Sequence, residues 1–244
     1  MTAKASRRDI ICFASYLLAT SKLHSQTADT VVKISDCYVS QSGNVNSGFF
    51  VIGMLQTREF ARHARNLQEL RLHRHYTREL VANSTDKYKL PYVEGLIDYI
   101  TNQQEMRFAC CIVTIKSWPD EPDARDAITL QCHNRLISQF NSKRDEIVSL
   151  HFKKFTTIRN SIVMEALGNN EIRVRRTDYH YPGGSEMLNY SDLLSNIVGS
   201  SYRKIKSGSR ASALKYLKEK LNVENFEDKA LVTHPVFRVR FLNL

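Results

Sequence analysis

Cysteine, proline, glycine and tryptophan are all scarce in this chain. The five cysteines are odd in number and none are spaced Cys-x-x-Cys, so a disulfide scaffold or zinc ribbon has nothing to build on. Cys110 and Cys111 are neighbours inside an apolar run, and free buried thiols in a reducing, cytoplasmic setting are the expectation. Nine glycines and five prolines exclude collagen-like and low-complexity classes. No apolar run approaches the ~20 residues that cross a bilayer. The longest near the N-terminus, Ile10–Ala19, is interrupted by Ser15 and lacks a cleavage pattern, so neither an anchor nor a signal peptide is expected. Also missing are Gly-x-Ser-x-Gly, the Walker A sequence and Gly-x-Gly-x-x-Gly, which leaves serine hydrolase, P-loop and dinucleotide chemistry without support.

What is present is enough apolar material for a packed core, 42% of 244 residues, beside 25% charged residues. Lysine and arginine number 35 against 25 acidic residues, a net charge of +10 that favours polyanionic partners.

Hydrophobic periodicity divides the chain into alternating elements. An amphipathic helix over Arg8–Leu23 precedes a strand over Val31–Val39. Gly43 and Gly48 bracket a turn into a second strand ending at Leu55, an antiparallel hairpin. Thr57 is placed to cap a helix running to about Ala82. In it Phe60, Ala64, Leu67 and Leu70 share one face, but beyond Leu70 the phase inverts and Leu72, Tyr76 and Leu80 fall on the side of Arg58, Arg62 and Arg65. One straight helix cannot bury both sets, so a break is predicted around Glu69–Leu72.

Further along, the pattern predicts a helix over Tyr92–Thr101 and a buried strand over Arg107–Ile115. A helix from Asp123 to Phe140 turns Ala127, Leu130 and Ile137 inward, and strand Glu146–Phe152 follows. A helix over Phe155–Leu167, a strand over Ile172–Tyr179, helices over Met187–Tyr202 and Ser209–Leu221, and a closing strand on Phe237, Val239 and Phe241 complete the series. Strands alternating with helices after a hairpin mean mixed α/β.

Two motifs carry a family resemblance. Tyr38-Val-Ser-Gln-Ser-Gly-Asn44 followed by Gly48-Phe-Phe-Val-Ile-Gly53, and Leu188-Asn-Tyr-Ser-Asp-Leu-Leu-Ser-Asn196, resemble a bacterial family with an RNase H-like fold, the "domain of unknown function 3800". The resemblance spans roughly Val31 to Lys206. It implies an RNase H-like mixed sheet with helices on both faces and a core over residues 27–206; an N-terminal helical extension (1–26) and a C-terminal helix and strand (207–244) packing on the core lie outside it. It also implies two divalent cations, Mg²⁺ or Mn²⁺, about 4 Å apart and held by several carboxylates. Of those positions only Asp192 keeps its carboxylate; Ser40 and Gln41 stand in the first strand and His151 in the later one. Neutral ligands weaken such a site severely, so a catalytically inactive domain without a cofactor is expected. Asp36, on the same strand face as Ser40 but some 13 Å away, together with Asp178 and Glu186, supplies the alternative carboxylates for a non-standard metal-dependent nuclease.

Other residues have plainer readings. His73, His75 and Glu79 read as a solvated helix surface, and His151 as a core histidine. Basic residues cluster in three places: Arg173, Arg175 and Arg176; Arg203, Lys204, Lys206 and Arg210; and Lys215, Lys218 and Lys220 with Arg238 and Arg240. Tyr179, Tyr181, Tyr202 and Tyr216 are interleaved, and charge neutralisation with aromatic stacking is how sequence-tolerant nucleic-acid binders work. The expected partner is DNA or RNA, within a bacterial defence or mobile-element assembly as the resemblance implies. The alternatives are the metal-dependent nuclease and a protein-interaction module.

Overall fold

Strand β2, Phe49–Thr57, is buried along its whole length, and the sheet is organised around it. The computed structural model describes residues 33–44, 49–76, 80, 89–114, 119–140, 146–153, 173–181 and 184–243. The expected helices at Arg8–Leu23 and Phe155–Leu167 lie outside them, as do Cys12 and Glu79. Six strands, β1 (Lys33–Asn44), β2, β3 (Met106–Thr114), β4 (Glu146–Lys153), β5 (Arg173–His180) and β6 (Phe237–Asn243), form one sheet in the order β5-β4-β1-β2-β3-β6. β1, β2 and β3 pair antiparallel, β4 and β5 add in parallel beside β1, and β6 adds in parallel beside β3. This is the mixed α/β sheet with an opening hairpin that the periodicity predicts.

The helices are α1 (Phe60–His73), α2 (Leu90–Asn102), α3 (Pro122–Phe140), α4 (Glu186–Tyr202), α5 (Ser209–Leu221) and the single turn α6 (Ala230–Thr233). Strand alternation feeds two cores. Tyr38, Val51, Leu55, Phe108, Cys110 and Ile112 face the core shared with α1, α2, α4 and α5. Cys37, Val39, Ile52, Met54 and Cys111 face the other, closed by Cys132, Leu136 and Ile137 of α3. Adjacent Cys110 and Cys111 therefore point to opposite faces, and both are free and buried, as are Cys37 and Cys132. A sheet covered on both faces explains why its central strands read as continuous apolar runs. No helix among the described residues is long and apolar enough to cross a membrane.

Several local expectations shift. β1 continues to Asn44, five residues beyond its expected end. Thr57 stays buried in β2, and α1 starts after Glu59 with no side-chain cap. Its inner residues are His63 and Leu67, the His63 ring bonding Tyr99 Oη at 2.7 Å through Nδ1, whereas Phe60 is 44% exposed. The predicted reorientation falls slightly later, at Arg74–Tyr76, where His75 adopts φ 50°. That turn buries Tyr76 and leaves Leu72 exposed. On α3 the inner face runs through Thr129, Cys132, His133, Leu136 and Ile137, while Ala127 is exposed. Polar residues occupy inner positions there, which hides the stripe from a purely apolar count.

Candidate functional site

The first-strand position that resembles a catalytic carboxylate is sealed. Ser40 on β1 is buried against α4, its Oγ 2.9 Å from Ser191 Oγ and 3.3 Å from Ser195 Oγ. Ser195 donates in turn to the Ser191 carbonyl at 2.7 Å. The helix approaches this closely because Gly53, the β2 partner of Ser40, has no side chain; a Cβ there would lie 1.9 Å from Ser195 Oγ. Gln41 is exposed. Asp192, one residue past Ser191, lies on the flank of α4, where Asn196 Nδ2 donates to its Oδ1 at 3.3 Å. Its charge acts on Lys89, whose ammonium is pushed down to about 8, first by burial and then by Arg210, with Asp192 opposing. The two hard cations implied by the resemblance do not fit this set, because they need converging oxygens and find hydroxyls already bonded to one another.

A different cluster forms where the parallel strands β1, β4 and β5 lie side by side. Register places Tyr38 beside His151 and His151 beside Asp178, with His180 two residues further along β5. The His151 side chain is 5% exposed; its Nε2 lies 3.1 Å from Asp36 Oδ1 and its Nδ1 3.0 Å from His180 Nε2 and 3.5 Å from Asp178 Oδ2. A carboxylate only accepts, so in the contact with Asp36 the donor is His151 Nε2–H, and Nδ1 faces His180 and Asp178. Tyr38 stacks on the His151 ring at 4.5 Å between centroids and fixes its plane. Burial, then the His151 ring, lowers the His180 pKa, and burial, then Asp36, raises that of the Tyr38 hydroxyl.

These groups line a cavity of about 380 Å³ that also touches Phe60 of α1, Arg176 of β5 and the first residues of α4. Phe60 is exposed because its ring forms part of the rim, 6.1 Å from that of Tyr38. Glu186, at the first turn of α4, lines the same cavity but is paired with Arg71, and Arg176 Nε donates to Asp178 Oδ2 at 3.0 Å. Of the acidic candidates, Asp36 and Asp178 thus converge on one histidine, Glu186 stands nearby neutralised by arginine, and Asp192 is elsewhere. His180 escaped the sequence reading altogether; the signal was the Asp178-x-His180 alternation on one strand face beside His151.

The first two of the three basic clusters stand apart. Arg173, Arg175 and Arg176 are exposed on β5, an edge of the sheet. Arg203, Lys204 and Lys206 are exposed at the far end of α4, with Arg210 half-buried near Arg203. The 17-residue helix between them is about 25 Å long, so they do not form one patch. Tyr202 is no open stacking platform: its ring packs against Phe49 and Phe241, and its hydroxyl donates to Glu227 at 3.4 Å. Tyr179 stacks on Phe152 and Tyr216 bonds Asp98, and Tyr181, just past the end of β5, is 62% exposed.

Compared with known proteins, the chain matches no family model and no curated protein. Among solved structures it is similar to a chain of "Structure of the PCNA:RNase HII complex from Archaeoglobus fulgidus", with 13% identity and a TM-score of 0.40, over 80% of this chain and 83% of that one.

Proposed function

We propose that this chain is an RNase H-like nucleic-acid-binding protein in which the two-cation position of the domain-of-unknown-function-3800 family has been converted into packing. It would act as a binding subunit of a larger assembly. The observation that carries this reading is the edge strand β5, which holds Arg173, Arg175 and Arg176 in solvent and ends at the exposed Tyr181. Guanidinium groups along an extended strand neutralise successive phosphates. The hydroxyl contacts of Ser40, Ser191 and Ser195 support the absence of hydrolysis at the family position.

The test is a salt titration of affinity for single- and double-stranded DNA and RNA oligonucleotides. Arg173→Ala with Arg175→Ala removes two phosphate contacts and should flatten the log–log salt slope by about 1.4 on single strands and 1.8 on duplex. Arg203→Ala with Lys204→Ala, at the other end of α4, should change affinity independently and additively. An unchanged slope in the first variant, or no binding at low salt to any of the four substrates, overturns the reading.

A further inference from the structure

His151 stands at the later-strand position of the resemblance and Asp178 and His180 lie on β5, but the nucleic-acid reading uses none of the three side chains. We propose that His151 Nδ1, His180 Nε2 and Asp178 Oδ2 form a three-ligand site for one divalent transition-metal ion of the Zn²⁺ type, with Asp36 orienting His151 from behind. The three ligand atoms lie within 4.8 Å of one another. The two edges from His151 Nδ1, 3.0 Å and 3.5 Å, bracket the separation of about 3.4 Å that tetrahedral ligands take around an ion with bonds near 2.1 Å.

The surroundings are those of a built site. A ligating histidine characteristically donates its second ring N–H to a carboxylate, which sets the tautomer and the ring direction. Asp36 does this for His151 at 3.1 Å, and the Tyr38 ring holds the imidazole plane. Arg176 Nε donates to the same Asp178 Oδ2 at 3.0 Å, the kind of hydrogen bond a ligating carboxylate accepts, and leaves that oxygen a second lone pair for the ion. Two neutral imidazoles and one carboxylate suit a borderline ion rather than Mg²⁺, which demands oxygens in near-octahedral array. Three protein ligands leave a fourth coordination position, and the adjoining 380 Å³ cavity has room for a water or a small oxyanion there. This is the ligand count of a reactive centre rather than a closed structural one.

The experiment uses the full chain, stripped with chelator and titrated separately with Zn²⁺ and Mg²⁺ by calorimetry, and with Co²⁺ by visible absorption. The expected result is one Zn²⁺ per chain, negligible Mg²⁺ uptake, and a Co²⁺ ligand-field band of four- or five-coordinate intensity. His180→Ala, at a half-exposed position, should weaken Zn²⁺ binding at least a hundredfold and abolish the Co²⁺ band. Asp36→Asn should weaken it ten- to a hundredfold. Asp192→Asn should leave it within twofold. No Zn²⁺ binding by the wild-type chain overturns the proposal, as does binding that survives His180→Ala, such as capture by the surface imidazoles of His73 and His75. Loss of binding in Asp192→Asn also overturns it. Oligonucleotide affinity of apo His180→Ala should match that of the apo wild type, which separates failure of this site from failure of the nucleic-acid reading.

Discussion

At Gly53 the sheet and α4 meet where no side chain intervenes, and the closeness of that approach is what turns Ser40, Ser191 and Ser195 into a bonded trio. Gly53→Ala places a methyl 1.9 Å from Ser195 Oγ and 3.1 Å from the Phe108 ring, so α4 must shift. A loss of about 2 kcal/mol in urea unfolding is expected, as for other overpacked cores. Adding Ser195→Ala removes the worst contact and should restore much of the loss, a non-additivity that a double-mutant cycle reads directly. His133 gives the pH-dependent counterpart. It is 1% exposed on α3, its Nδ1–H donates to the Thr129 carbonyl at 2.7 Å, and burial pushes its pKa down to about 4. The unfolded chain takes up that proton as pH falls through 6.5, while the native chain resists until about 4. Stability from this residue is therefore complete above 6.5 and is lost on acidification across that window, on the order of 3 kcal/mol in all. His133→Asn replaces the ring N–H with an amide N–H donor that does not titrate, and urea midpoints between pH 7 and pH 4.5 should fall less steeply in the variant.

Individual elements show how small irregularities aim side chains. β5 pairs Val174 with Val148 but Arg176 with Ser149, a bulge that inserts Arg175. Val174 and Tyr179, five residues apart, consequently both pack toward the α3 core, while Arg176, Asp178 and His180 all reach the cavity on the opposite face. Strict alternation could not satisfy both sets. Arg175 and Arg176 also discourage another strand from adding beside β5. At the end of α5, Asn222 sits at φ 53°, its N–H bonding the Glu219 carbonyl and the Val223 N–H reaching back to Lys218. Glycine adopts that left-handed geometry without a Cβ penalty. Asn222→Gly should raise the unfolding midpoint by the equivalent of a few tenths of a kcal/mol, and Asn222→Val should lower it by about 1 kcal/mol, both measurable by thermal denaturation.

Across the whole molecule, element type and order were legible in the sequence because burial on one or both faces imposes a period that composition records. The helix over Ser209–Leu221 and the strands near 49–57, 106–114 and 146–153 follow from that alone. Less legible were the inner faces of α1 and α3, where His63, Thr129 and His133 take core positions through local hydrogen bonds. The candidate site was legible only in fragments. Asp36, His151 and Asp178 are separated by more than a hundred residues between the first and second and by 27 more to the third, and no local pattern relates them. The sequence by itself determined the mixed α/β class, the excess of positive charge and the buried thiols, because each is a property of composition or of short-range period. Only the tertiary structure decided that Asp192 stands apart, that the two basic clusters lie at opposite ends of α4, and that Asp36, Asp178 and His180 meet around one imidazole. Those outcomes depend on parallel strand register and on a single inserted residue in β5, and register is set by packing between distant segments rather than by the residues that end up side by side.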